Sequence, residues 1–167
     1  MERVAIVTGG ATGIGRVLAE GLAADGYAVV VGYHGNQVGA DETAHAIEAT
    51  GGKVRLVGGD LADAGVAAGL IGTAVEAFGR IDVLCCHAGL TSVGRFLEVD
   101  PAAFDRVVAT NLRGTFFTAQ AGARRMVEQG DGGRIVLSTG GAVEVHCEAG
   151  EHEIGRASCR ERVSECV

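Results

Sequence analysis

Thr8-Gly9-Gly10-Ala11-Thr12-Gly13-Ile14-Gly15 places four glycines within eight residues. The segment follows a short apolar run, Val4 to Val7, and precedes a stretch in which Ile14, Leu18 and Leu22 recur at helical spacing. Between a buried strand and a helix, such a loop suits a dinucleotide phosphate. Glycines let the backbone turn sharply and approach a pyrophosphate, and the helix amino terminus offers unpaired N–H groups and a positive dipole end. A plain strand–helix turn is the alternative. Three polar residues stand at comparable junctions further on. Asp60 follows a third apolar run, Asn111 falls within a long helical pattern, and Ser138 closes a fifth apolar run. Taken singly, Asp60 could be a loop aspartate bonding its own backbone, Asn111 a polar residue that kinks a helix, and Ser138 an ordinary strand-end hydroxyl.

The elements that must position these groups alternate regularly. Strands are predicted at 4–7, 28–31, 54–57, 81–86 and 134–137, each a continuous apolar run. Between them lie helical patterns at 13–24 and 41–50, one capped by Asp63 with Val66, Leu70, Ile71, Ala74 and Phe78 apolar, and one opened by Asp100-Pro101. The last should turn Phe104, Val107, Val108, Leu112 and Phe116 inward and end at the glycines of 130–133. Strands without alternation, separated by helices, indicate a parallel sheet covered on both faces. The expected fold is therefore α/β, a doubly wound Rossmann-type sheet whose ligand crevice lies at the carboxyl ends of the strands.

Composition agrees. The chain has 167 residues, 47% of them hydrophobic, with 28 glycines, one proline and few aromatics. That is enough for one packed domain. A net charge of −7 with no Lys/Arg block argues against nucleic-acid and anionic-membrane surfaces. No metal-ligand spacing occurs, and Cys85, Cys86, Cys147, Cys159 and Cys166 form no C-x-x-C pair, so buried inert thiols are expected. The amino terminus runs directly into a strand pattern, with no signal peptide or membrane span, which makes a cytoplasmic location the expectation.

These motifs together resemble the short-chain dehydrogenase/reductase family, from about Arg3 to about Val145. Thr8 through Gly15 matches the family fingerprint of Thr-Gly, three residues, Gly, one residue, Gly. The resemblance assigns Gly9, Thr12, Gly13, Ile14 and Gly15 to the cofactor loop, and Asp60-Leu61 to the acidic position beside the adenine. Cys86-His87-Ala88-Gly89 stands where the family usually has Asn-Asn-Ala-Gly, so Ala88 and Gly89 lie against the cofactor while His87 departs from the pattern. Asn111 matches the helix asparagine that supports a proton relay, and Ser138 the catalytic serine that hydrogen-bonds the substrate oxygen.

The implied reaction is hydride transfer between a nicotinamide cofactor and a small carbonyl or alcohol substrate. A 3-oxoacyl-carrier-protein reductase or a sugar or polyol dehydrogenase is the implied type, and the intact parent would be a homo-oligomer. At the end of the second strand, Gly32-Tyr33-His34 offers no acid to grip ribose hydroxyls, which favours NADP, with NAD also possible. No Arg or Lys lies in the glycine loop or at 32–36 to meet a 2′-phosphate, and His34 is the nearest candidate.

The family also uses a Tyr, about a dozen residues after the serine, with a Lys four residues on. A free phenol near pKa ~10 is a poor base at neutral pH, so the Lys must tune it. The region after Ser138 reads Cys147-Glu148-Ala149-Gly150-Glu151-His152-Glu153, and the tyrosines of the chain are Tyr27 and Tyr33 and its one lysine Lys53. Residues 1–146 are thus expected to be the nucleotide-binding front of such an enzyme, incomplete on its carboxyl side and inactive without the Tyr/Lys pair, although Glu151 or His152 could in principle move protons. Residues 147–167 are expected to be a non-native tail, since Glu153 to Val163 has no strand or helix logic and looks like a translated sequencing adapter. The competing readings are a non-catalytic dinucleotide-binding module and an unstable fragment with an exposed sheet edge.

Overall fold

The computed structural model describes residues 2–91, 94–138 and the pair Glu153–Ile154. Five parallel strands make its sheet: β1 (Arg3–Thr8), β2 (Tyr27–Tyr33), β3 (Val54–Gly58), β4 (Val83–Cys86) and, after the two-residue β5 (Gly94–Arg95), β6 (Arg134–Leu137). Their order is β3-β2-β1-β4-β6. The order reverses at β1, and that switch point fixes where a crevice opens.

The helices are α1 (Gly13–Ala24), α2 (Gln37–Ala49), α3 (Ala64–Phe78), α4 (Pro101–Val107) and α5 (Thr115–Glu128). Alternate strand residues serve opposite faces. Val4, Ile6, Ala28, Val30 and Leu84 join Leu70, Ala74 and Met126 of α3 and α5 in one apolar cluster. Val7, Val29, Val31 and Cys85 join Ala19, Ala23, Ala44 and Ile47 of α1 and α2 in the other. Both faces of the central strands are covered, so the doubly wound expectation holds, while β6 at the edge is largely exposed, with Val136 and Leu137 more than half accessible. Each fully buried Val, Ile or Leu contributes roughly 1.5–3 kcal/mol. Cys85 and Cys86 are buried within it, and burial pushes both thiols up, Cys86 to about 11, as inert thiols should be. Cys147, Cys159 and Cys166 lie outside the described residues.

Several sequence expectations are corrected. The helix expected to begin at residue 41 begins at Gln37, because the Asn36 side chain accepts the Gly39 N–H and caps it. On α1 the buried residues are Gly15, Ala19 and Ala23, while Ile14 is exposed. Phe104, Leu112 and Phe116 also face outward. Phe104 lies on α4, which buries no residue, and beyond it a π-helical stretch, Val108–Gly114, shifts the phase of α5. Gly114, Thr118, Gly122 and Met126 form the inward stripe instead. A Cβ at Gly114 would come within 2.6 Å of the Leu61 carbonyl oxygen, and one at Gly122 within 2.5 Å of Leu84 Cδ2. The helix lies too close to its neighbours for large side chains on that face. Glu153–Ile154, expected to lack strand logic, forms β7, an antiparallel two-residue ladder with β5.

At the amino ends of the strands, Asp82 joins three of them. Its carboxylate accepts the Val4 N–H at 2.8 Å and pairs with Arg80 at 2.7 Å; its own N–H donates to the Val4 carbonyl, and its carbonyl accepts the Arg134 N–H. Burial pushes the Asp82 pKa up, but the Arg80 hydrogen bond, the Val4 N–H and the charges of Arg80 and Arg3 outweigh it and hold the group below the usual value of 3.8. A carboxylate lowered by folding stabilises above its unfolded pKa, and the contribution is lost as pH falls through the folded value. The Asp82→Asn protein should therefore lose stability at neutral pH and show a flatter fall in unfolding free energy below pH 3.8. Urea unfolding at a series of pH values checks this, and parallel curves for the two proteins would refute it.

Candidate functional site

Thr8 ends β1 fully buried, and its hydroxyl oxygen accepts the N–H groups of both His87 and Ala88 at 3.0 Å. The exit of β4 is thereby tied to the exit of β1, side by side at the switch point. Gly9 follows with φ +73°, in the left-handed region that glycine tolerates best, and a Cβ there would sit 2.9 Å from Ala88 Cα. The backbones of the loop and of Ala88 are in contact as a result.

The loop carbonyls are held from the α2 side. Thr43, wholly buried, donates its hydroxyl to the Gly10 carbonyl at 3.0 Å. Arg16 donates to the carbonyls of Ala11 and Gly39 and to the Thr43 hydroxyl, and pairs with Glu42 at 2.6 Å. The first backbone bond of α1 runs from the Arg16 N–H to Thr12, so Gly13, Ile14 and Gly15 precede it in the first turn. Gly15 packs closest, since a Cβ there would fall 2.1 Å from the Gly9 carbonyl oxygen. Glycines packed backbone to backbone keep the loop tight against the helix amino terminus, whose unpaired N–H groups suit a pyrophosphate. The roles of Thr8, Arg16 and Thr43 were not anticipated from sequence. The signal for Thr8 was present, as the hydroxyl that opens the glycine motif, whereas the reach of Arg16 and Thr43 depends on how α1 packs on α2.

A cleft of about 610 Å³ opens over this loop. Gly9, Thr12, Gly13 and Ile14 line it, with Asp60, Leu61, His87, Ala88 and Gly89 on the far wall and Tyr33, His34 and Asn36 at the β2 end. That size is usual for a small-molecule site. Every expected cofactor residue except Gly15 lines the cleft, and Gly15 lies directly beneath Gly9. One Asp60 oxygen accepts the Ala62 N–H at 2.9 Å, so the residue bonds its own turn while bordering the cleft. His34 is exposed, and no Arg or Lys is among the lining residues.

Neither Asn111 nor Ser138 lines the cleft, but each hydrogen-bonds a residue that does, Leu90 and His87 respectively. Asn111 lies in the π-helical stretch and is committed at both ends of its amide: Oδ1 accepts the Leu90 N–H and Nδ2 donates to the Leu90 carbonyl, each at 2.9 Å. It anchors the chain leaving β4. The Ser138 N–H donates to the Cys86 carbonyl, and its Oγ lies 2.9 Å from His87 Nδ1. Tyr27 pairs with Arg3 and Lys53 with Glu2, while Tyr33, at the β2 end of the cleft, hydrogen-bonds Gln37. Glu151 and His152 lie outside the described residues. Among the described residues no helix is long and apolar enough to cross a membrane.

Comparison with known proteins bears on the same elements. The short chain dehydrogenase family model matches residues 3–150. The L-rhamnose 1-dehydrogenase (NAD(P)(+)) of Azotobacter vinelandii is 41% identical over 155 residues, which are 87% of this chain and 60% of that protein. Acetoin dehydrogenase from Enterobacter cloacae superimposes with a TM-score of 0.76 at 37% identity, covering 82% of this chain and 54% of the other. A short chain dehydrogenase from Burkholderia cenocepacia, solved in complex with NADP, gives 0.74 at 32% identity, covering 81% and 54%. This chain thus spans a little over half the length of the proteins it resembles. With the glycine loop, the strand order and the family model in agreement, the chain belongs to the short-chain dehydrogenase/reductase family of oxidoreductases.

Proposed function

We propose that this chain binds a nicotinamide dinucleotide across the ends of β1 and β4, and that the protein it represents moves hydride between that cofactor and a sugar or polyol. The observation that carries the reading is the close backbone packing at Gly9 and Gly15, where a Cβ would strike Ala88 or the Gly9 carbonyl, directly beside the cleft lined by Gly9, Thr12 and Gly13. The loop and the α1 amino terminus would hold the pyrophosphate, Asp60 and Leu61 would flank the adenine, and Ala88-Gly89 would leave room for the nicotinamide half. When bound, the cofactor supplies or accepts the hydride. Ser138 holds the substrate oxygen by hydrogen bonding, and Asn111 fixes the Leu90 backbone beside it.

NADP is favoured over NAD because the β2 end presents Tyr33 and His34 where an acid would repel a 2′-phosphate. The sugar reading is supported by the likeness to L-rhamnose 1-dehydrogenase. With Tyr27 and Lys53 paired away from the cleft and Tyr33 at its β2 end bonded to Gln37, the chain itself should bind cofactor without turnover.

Titration of the full chain with NADPH and with NADH, followed by nicotinamide fluorescence, should give saturable binding with NADPH the tighter. L-Rhamnose with NADP⁺ or NAD⁺, and a carbonyl panel with NADPH or NADH, should then give no turnover. A folded chain that binds neither cofactor would refute the assignment of the cleft, and turnover would refute the inactivity of this chain.

A further inference from the structure

His87 departs from the asparagine usual at its position, and the structure gives the replacement a specific contact. Its backbone N–H is fixed on Thr8, and its ring Cδ2 lies close enough to Gly15 that a Cβ there would be 3.1 Å away. The ring therefore sits between the cofactor loop and the end of β6, where Nδ1 meets Ser138 Oγ at 2.9 Å. The Ser138 backbone is itself fixed by its N–H to the Cys86 carbonyl. Among the described residues neither side chain has a second hydrogen-bond partner.

In a neutral imidazole one nitrogen carries the proton and the other accepts. An imidazole nitrogen is more basic than a serine oxygen, so the stronger arrangement has the serine hydroxyl donating to Nδ1, with the ring proton on Nε2. We propose that His87 is a positioning residue for Ser138. By accepting the hydroxyl's hydrogen bond at Nδ1, it leaves the serine oxygen, beside the His87 wall of the cleft, as a hydrogen-bond acceptor, suited to the hydroxyl of an alcohol rather than to a carbonyl oxygen. The consequence for substrate class rests on the oxidoreductase reading above, whereas the hydrogen-bonded pair does not.

The cleft lining also holds Tyr33, His34 and Asp60, and Cys85 and Cys86 precede His87 on β4. The test is made without cofactor at about pH 8.5, where imidazoles in general are neutral. Cys86, pushed up to about 11 by burial, remains a thiol there. Imidazole ¹⁵N spectra of the labelled full chain, with His87 assigned through His87→Asn, should show its Nδ1 unprotonated and its Nε2 protonated. Ser138→Ala should lower the ratio of the two tautomers about five-fold, the worth of one ordinary hydrogen bond. Ser138→Thr, which keeps the hydroxyl, should restore it, and His34 and His45 should not respond. A protonated Nδ1 in the parent chain would overturn the proposal. So would an unchanged ratio in Ser138→Ala with the backbone amide spectrum intact. NADPH titration of the same samples keeps the two readings apart: lost cofactor binding with the tautomer intact sinks the proposed function alone, and the reverse result sinks only the His87–Ser138 pair.

Discussion

Gly15→Ala should raise the Kd for NADPH by about 100-fold, close to 2.8 kcal/mol. The new methyl carbon would stand 2.1 Å from the Gly9 carbonyl oxygen, and backbone rather than a flexible side chain is what it meets. The Gly9 peptide must move, and Gly9 is already in contact with Ala88. A shift of the loop therefore alters both walls of the cleft. Gly13→Ala is the informative comparison. Gly13 also has a positive φ, +53°, yet a Cβ there meets nothing within 4 Å. It should cost backbone strain of about 1 kcal/mol and far less affinity. Far-UV circular dichroism confirms the fold of each variant, and fluorescence titration measures binding. Equal losses at the two positions would show that conformational strain, not the cradle, sets affinity.

Thr8→Val should destabilise the chain by about 3 kcal/mol in urea unfolding. Valine matches the shape of threonine but removes the oxygen that accepts two N–H groups, His87 and Ala88, at a site only 1% exposed. Leaving buried donors unpaired costs about 1–3 kcal/mol each, more than the average worth of a hydrogen bond that water can replace. Thr8→Ser keeps the oxygen and should cost about 1 kcal/mol through the lost methyl. If valine and serine prove equally mild, the hydroxyl does not tie β4 to β1.

Strand identity was legible because each strand is an apolar run that a sheet covered on both faces requires. The glycine loop was legible because its residue types answer a backbone need that no other residue meets. Helix faces were less so. The sequence pattern placed Leu112 and Phe116 inward, but periodicity assumes 3.6 residues per turn. The π-helical stretch at Val108–Gly114 breaks that count, and the close approach at Gly114 and Gly122 selects small residues for the buried face. Asn111 and Ser138 are singled out by their order along the chain, but their hydrogen-bond partners are not. The bond from Asn111 to Leu90 depends on how the π-helical stretch lies against the chain leaving β4, and that from Ser138 to His87 on two parallel strands ending at the same level. Neither is written in local sequence.

The knot of Arg80, Asp82 and Asp131 lies at the amino ends of the strands, while the glycine cradle lies at their carboxyl ends. The length of the sheet separates them. Mutational effects at sites that share no partner add nearly independently. The amino edge is therefore the face on which this scaffold tolerates thermostabilising changes, a tether to a solid support or a fluorescent reporter, with dinucleotide recognition left to the opposite edge.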